Sequence, residues 1–293
     1  MKIFAPKYYN EFRCKAGSCR HSCCVGWEID VDTAAASRYK SLGSAGERIL
    51  ATIDFESDTP HFKFTDGERC PHLDEHGLCR IISDLGEEYL CDICREHPRF
   101  YNFLPSKIEA GLGASCEEAA RLILNSDNYS ENIEVGELDE EEYYSDFDAS
   151  LEREKIYKTL ADESFTYPER LSRIYSKHSF LPKDFDGSLW KKTISELEYI
   201  DENDRDLFLR YSFGCTAKHP EYAERALAYF IYRHTGSSES YGEFRTSLGA
   251  ALFLERLFVS LTDNGIIPTE ALRIISEEIE YSEDNTERIK NEF

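Results

Sequence analysis

Nine of the ten cysteines of this 293-residue chain lie in its first 116 residues, and their spacing constrains everything else. They run Cys14-x4-Cys19-x3-Cys23-Cys24, then Cys70-Pro71-His72-Leu73-x5-Cys79, then Cys91-x2-Cys94-x2-His97, then Cys116. Cys215 stands alone in the second half. Such a run is either a disulfide framework or a set of metal thiolates. Disulfides belong to small chains in oxidising compartments. This chain is not small, and Met1-Lys2-Ile3-Phe4-Ala5-Pro6-Lys7 has neither an apolar signal core nor a small-residue cleavage site. No stretch approaches the roughly 20 uncharged apolar residues of a membrane span. The expectation is a cytoplasmic, reducing location, and metal rather than disulfide. Cys19-x3-Cys23 and Cys91-x2-Cys94 point the same way, because short spacings converge thiolates.

Tetrahedral thiolate sites hold zinc or iron–sulfur, and the spacing leaves both open. It is not a C-x2-C…C-x2-C zinc ribbon. Cys19-x3-Cys23-Cys24 also differs from the C-x3-C-x2-C of radical S-adenosylmethionine enzymes, because Cys24 arrives two residues early. The net charge of -23 excludes phosphate-driven nucleic-acid binding, which needs a basic excess. It serves solubility, or a basic partner.

Along the chain, Tyr8, Tyr9 and Phe12 have the spacing of a short buried helical turn. Residues 25–32 alternate like a half-buried strand, and Asp32-Thr33 caps a helix to about Leu42, with Gly43 as its stop and a second helix over 45–53. Asp66-Gly67 and Glu75-His76-Gly77 are turn signals that bring Cys70 and Cys79 face to face. Residues 107–113 read as a strand, and Ser115-Cys116-Glu117-Glu118 as a capping box opening a helix, where the dipole lowers a thiol pKa. Residues 126–148 are acidic with no Lys or Arg. Period-3.6 apolar positions then predict helices over 151–161, 167–177, 188–200, 204–214, 220–234, 240–263 and 269–281. Ala226 to Tyr232 is apolar nearly all round and marks the core helix. The fold expected is mainly α: a small irregular α+β cysteine-rich metal-binding region over 1–125, an acidic linker or edge over 126–148, and an all-helical region over 149–293.

The cysteine run with Val25-Gly26-Trp27, Cys70-Pro71-His72-Leu73, Cys94-x2-His97-Pro98-Arg99 and Ser115-Cys116-Glu117-Glu118 resembles the flagellin lysine-N-methylases. The likeness covers about the first 125 residues, with a weaker echo at Tyr229-Phe230-Ile231-Tyr232-Arg233-His234. The cysteine part is also similar to zinc- or iron-chelating domains. The resemblance implies a metal set of Cys14, Cys19, Cys23, Cys24, Cys70, Cys79, Cys94 and Cys116, with Cys91 and His97 outside it. It implies methyl transfer from S-adenosylmethionine to flagellin lysines in the cytoplasm, with zinc or an iron–sulfur cluster as cofactor.

A donor site is sought at Gly111-Leu112-Gly113, a strand-turn-helix pattern in which Gly111 and Gly113 are the candidate cofactor-binding residues. A tight turn delivering Cys116 is the structural alternative. The chain does not alternate strand and helix as a doubly wound sheet requires. Trp27 shields a cluster or fills core, and Arg95 and Arg99 compensate thiolate charge or form surface ion pairs. His21, His72 and His76 lie near the thiols as possible ligands or donors to them. Two functions of other classes fit the cysteines: a structural-zinc binding module with an acidic helical docking surface, and an iron–sulfur electron-transfer protein.

Overall fold

The computed structural model describes residues 1–210 and 217–293. Cys215 and the end of the helix expected over 204–214 lie outside the described residues. The chain divides into two compact units, one of Arg13–Pro98 and one of Met1–Phe12 with Arg99–Phe293. In sequence, the cysteine-rich unit is an insertion in the larger one, with limits at 13 and 98 where 1 and 125 were expected. The strands in chain order are β1 (Lys2–Pro6), β2 (Ile53–Asp54), β3 (His61–Phe62), β4 (Arg99–Leu104), β5 (Lys107–Leu112) and β6 (Asn132–Glu137). The rest of the regular structure is helical, so the mainly α class holds.

The unit Arg13–Pro98 carries α1 (Thr33–Lys40), α2 (Ser44–Leu50), α3 (Arg80–Leu85), α4 (Asp92–Glu96) and the β2–β3 pair. Its apolar cluster is thin, built on Ile29, Val31, Tyr39, Ile53, Phe62 and Ile81, with Cys70 and Cys91 among its members. The strand expected over 25–32 is reduced to isolated bridges, Val25 with Arg69 and Asp30 with His61. Gly26 at φ 91 breaks the run. Asp32 caps α1 as its sequence signals, accepting from Ala35 N at 2.7 Å. Its other oxygen accepts from Asp92 N at 2.8 Å, so one carboxylate ties α1 to the start of α4. Burial would raise the Asp32 pKa, but these N–H groups outweigh it and hold it down.

The larger unit is built on a four-stranded sheet of order β4-β5-β1-β6. β1 runs parallel to β5 and antiparallel to β6, and β4 pairs antiparallel with β5. Three of these strands, β1, β4 and β6, escape sequence reading, and only β5 is expected. β1 precedes the expected turn, which forms as a 3-10 helix over Lys7–Glu11. β6 lies inside the acidic stretch, where only Ile133 and Val135 carry the alternation. Residues 126–148 are therefore not only a linker.

The helices are α5 (Glu117–Asn125), α6 (Ala149–Leu160), α7 (Tyr167–Lys177), α8 (Gly187–Ser195), α9 (Glu202–Arg210), α10 (Pro220–Thr235), α11 (Tyr241–Asp263), α12 (Pro268–Ile275) and α13 (Glu283–Lys290). Local signals set their starts. Thr166 and Glu169 form a capping box on α7, and the Ser240 hydroxyl accepts from Glu243 N on α11. α10 is buried from Ala226 to Tyr232, the core helix expected, and α11 is buried through most of its length. Among the described residues, no helix is long and apolar enough to cross a membrane. α12 runs on into a π-helical turn, Ser276–Glu280, that buries Ser276, Glu278 and Glu280. Such turns rephase a helix by one residue and recur at functional positions.

Glu278 fastens this turn to the chain before α9, accepting from Ile200 N at 2.7 Å and Asp201 N at 3.1 Å. Carboxylate oxygens, one each from Glu278, Asp204 and Glu277, lie within 4.8 Å of one another. Burial first, and then the Asp204 and Glu277 charges, push the Glu278 pKa up from 4.5 to about 7. A raised carboxyl pKa means that the folded state holds a proton that the unfolded chain has already released. Stability from this group is therefore full below 4.5 and is lost as pH rises through about 7. Denaturant unfolding across that window should show a falling stability with rising pH, and Glu278→Gln should flatten the slope. An unchanged slope in the variant would contradict this account.

Candidate metal centre

The unit Arg13–Pro98 contains Cys14, Cys19, Cys23, Cys24, Cys70, Cys79, Cys91 and Cys94, and none of them is in a disulfide. Three local devices gather the thiols. Cys70 N donates to Cys24 O at 2.9 Å, joining the Cys23-Cys24 corner to the first arm of the knuckle. The Asp74 carboxylate accepts from His76 N and Leu78 N, both at 2.8 Å, and Gly77 takes φ 74. This closes the turn that the sequence signals and sets Cys79 beside Leu73 in a bridge. Cys79 and Cys91 each stand immediately before a helix, α3 and α4. The N–H groups of Ile81 and Ile82 face the Cys79 thiol.

Cys91, the cap of α4, and Cys94 within it then fall one turn apart, with their sulfurs 3.4 Å from each other. Cys91 is 1% exposed. Cys91 stood outside the ligand set that the resemblance implies, and its thiol meets Cys94 of that set. Trp27 links the two thiol pairs: its indole N–H donates to Cys23 O at 2.8 Å, and its ring meets His97 edge-on at 5.8 Å. The His97-Pro98 peptide bond is cis.

The ionisation of the thiols shows how they group. The S–H of Cys24 donates to Cys23 and lowers its pKa to about 7, while Cys24, held by that bond and by burial, is pushed far up. Cys91 is lowered by Cys94 in the same way, and Cys94 is raised. Burial lifts Cys70 to about 11 and also raises Cys79. Cys24 feels Cys70 and Cys79, Cys94 feels Cys24 and Cys70, and Cys79 feels Cys91 and Cys23. These six thiols share one electrostatic neighbourhood, in which Cys23 and Cys91 are lowered and the other four are raised.

Among the described residues, no three cysteine sulfurs come within 4.8 Å of one another. One zinc ion with four thiolates at about 2.3 Å would bring all of its sulfurs to about 3.8 Å apart. The sulfurs of Cys91 and Cys94 lie 3.4 Å apart, and the thiols of Cys23 and Cys24 are hydrogen-bonded to each other. The donor set is soft and gathered in one neighbourhood, so it fits a thiolate-bound metal.

The other expected ligands lie elsewhere. Cys14 is exposed and its thiol accepts from Ala16 N, and Cys19 is half-buried. The 3-10 turn between them packs Gly17 against Leu78, next to Cys79 in sequence. Cys116 belongs to the larger unit, as the cap residue of α5. The capping box read at Ser115 does not form, because the Glu118 carboxylate turns to Arg121. His72 is buried against Phe62, bonded to the Thr52 hydroxyl, and driven by burial down to about 4, a neutral core histidine. Arg95 pairs with Asp92 and Glu96, and Arg99 lies over the Tyr9 and Phe12 rings of the larger unit.

The strand-turn-helix around Gly111 and Gly113 is present, from β5 to α5. Gly111 lies opposite Phe100, and a Cβ there would meet the ring at 2.2 Å. Cross-strand packing accounts for that glycine. The turn is held by a buried polar network that sequence reading missed. Tyr229 OH accepts from Ala114 N at 3.0 Å and donates to Glu280 at 2.7 Å. His234 Nε2 meets the other Glu280 oxygen at 2.7 Å, with Arg233 Nε at 3.4 Å. Burial would raise the Glu280 pKa, yet Arg233 and His234 hold it at about 2. Burial lowers His234, so a neutral ring donates from Nε2 to an ionised carboxylate. The one sequence hint was the Tyr229–His234 stretch that carried the family echo.

A clustered-thiol unit inserted in a mainly α protein is the class that these features define. No family model matches the chain, and no solved structure matches it. Among curated proteins, it is 29% identical over 134 residues to the lysine-N-methylases of Salmonella choleraesuis and Salmonella typhimurium. It is 28% identical over 134 residues to the flagellar biosynthetic protein FliU of Salmonella muenchen. Each match covers 42% of this chain, with 32% of either methylase and 77% of FliU. The chain thus spans about a third of the length of the two methylases it matches. On this stretch, the chain is similar to the lysine-N-methylases and to FliU.

In reduced, metal-free protein, alkylation of Cys23 should reach half its maximal rate near pH 7. Cys24→Ala removes the S–H donor and should slow labelling at that pH by about tenfold. Mass spectrometry of the labelled peptides reads both effects. Equal labelling of Cys23 in the two proteins would contradict the pairing.

Proposed function

We propose that the protein is a lysine N-methyltransferase that moves a methyl group from S-adenosylmethionine to lysine side chains of flagellin, in the cytoplasm. The observation that carries this reading is the match to proteins named lysine-N-methylase and to a flagellar biosynthetic protein. In the reaction, the sulfonium–methyl bond breaks and an N–methyl bond forms, leaving S-adenosylhomocysteine. The ε-amine must first give up its proton, and donor and amine must lie in line. A chain of charge -23 suits a cationic acceptor surface.

The thiols supply the second support. Cys23, Cys24, Cys70, Cys79, Cys91 and Cys94 would hold the metal of the smaller unit. Zinc there staples the fold, and an iron–sulfur cluster adds one-electron chemistry. A second reading, a zinc-stapled binding module, is favoured by the thin apolar cluster of that unit.

Metal-replete protein incubated with methyl-labelled S-adenosylmethionine and flagellin should yield label that survives acid hydrolysis as methyl-lysine. Lysine left unlabelled under those conditions would overturn the methylase reading and leave the binding module.

A further inference from the structure

The larger unit carries an exposed aromatic face at one edge of its sheet. β4 is an end strand, and its alternation turns Asn102 and Leu104 inward and Tyr101 and Phe103 outward, at 37% and 45% exposure. The stretch after β6, which is the opposite end strand, reaches β4 at Tyr143. Tyr143 N donates to Pro105 O at 3.0 Å, and the Tyr143 hydroxyl donates to Phe103 O at 3.2 Å. At its other end, Leu138 N donates to Met1 O at 2.9 Å. Between these anchors, residues 138–144 are all exposed, with Tyr144 at 87%.

A fixed, solvated strap with outward aromatic rings costs free energy unless something covers it. Its charge says what. Asp139, Glu140, Glu141 and Glu142 are consecutive; the Met1 ammonium donates to the Glu140 backbone carbonyl at 2.9 Å, and among the described residues none of the four carboxylates forms a salt bridge. Residues 126–148 hold no Lys or Arg that could neutralise them. Carboxylates beside exposed aromatic faces attract ammonium groups by charge and by the ring quadrupole.

We propose that the β4 edge and the strap over 138–144 form the docking surface for a lysine-bearing protein segment, the acceptor of the reaction. The proposal rests on the methylase reading for the identity of that segment as substrate, but its binding test needs no methyl transfer. Lysine stems lie across Tyr101, Phe103 and Tyr144, and their ammonium groups meet the four carboxylates.

The test is fluorescence anisotropy of a short labelled lysine-bearing peptide with the full chain and no methyl donor, beside a copy with every lysine replaced by glutamine. Binding should require the lysines and weaken with salt. Replacing Asp139, Glu140, Glu141 and Glu142 by their amides should weaken it by about fivefold or more, and Tyr144→Ala alone by a measurable fraction of that. Both changes lie on exposed side chains and leave the core untouched. Glu154→Gln with Glu163→Gln, two exposed carboxylates elsewhere on the unit, should leave affinity unchanged. Unchanged affinity in the strap variants would overturn the proposal, and so would an equal loss in the control, which would reduce the effect to net charge. Lysine-dependent binding lost in the strap variants, in a protein that transfers no methyl group, would uphold the surface and sink the methylase reading alone. Methyl transfer with an unaltered KM in the strap variants would do the reverse.

Discussion

Thiolates held close together repel one another, and the cysteine-rich unit is organised by that constraint. Six cysteines share one neighbourhood, and the fold answers in two ways. Within Cys23-Cys24 and Cys91-Cys94, one thiol keeps its proton and donates it to the other. Burial keeps Cys70 and Cys79 protonated. Neither answer supplies much stability. A bound cation would supply what they lack, turning mutual repulsion into shared attraction and converting its binding free energy into folding free energy. The rest of the unit serves to bring the thiols within reach: short helices that begin at cysteines, a knuckle closed by Asp74, and Asp32 fastening α1 to α4 with one carboxylate. Each backbone cap of the Asp32 kind is worth about 1 kcal/mol.

The larger unit rests on a different economy. Its core is ample, from the long buried faces of α10 and α11. It can therefore carry buried charge, and does so at Glu280, where Arg233, His234 and Tyr229 converge. Tyr229 connects this carboxylate to the backbone of the turn before Cys116. The π-helical turn at Ser276–Glu280 is what aims Glu280 inward. The network fixes the β5–α5 turn rigidly, whatever that turn presents.

Much of this was readable from residue order alone. Asp32 announces a helix cap, Asp66-Gly67 and Gly77 announce turns, and the apolar run from Ala226 to Tyr232 announces a core helix. All of these rest on neighbours in sequence. What escaped depends on partners far away. The second bond of Asp32 goes to residue 92, β1 finds β5 and β6 more than 100 residues on, and β6 hides two apolar residues among acids. Glu280 sits in Ser276-Glu277-Glu278-Ile279-Glu280, which reads as a solvated charged run until the π turn buries it. Cys91 is the instructive case. Its spacing to Cys94 is a ligand signal, the resemblance leaves it outside the implied set, and its sulfur lies 3.4 Å from that of Cys94.

The central claim is that the clustered thiols are a metal centre. The direct measurement is iron, acid-labile sulfide and zinc per chain in protein purified without oxygen, beside its visible spectrum. The account predicts bound metal: iron and sulfide in equal amounts with a broad band near ~400 nm for a cluster, or colourless zinc for a staple. It also predicts that stripping the metal unfolds the unit Arg13–Pro98 before the rest. A metal-free protein in which that unit is fully folded, with its thiols reduced, would contradict it.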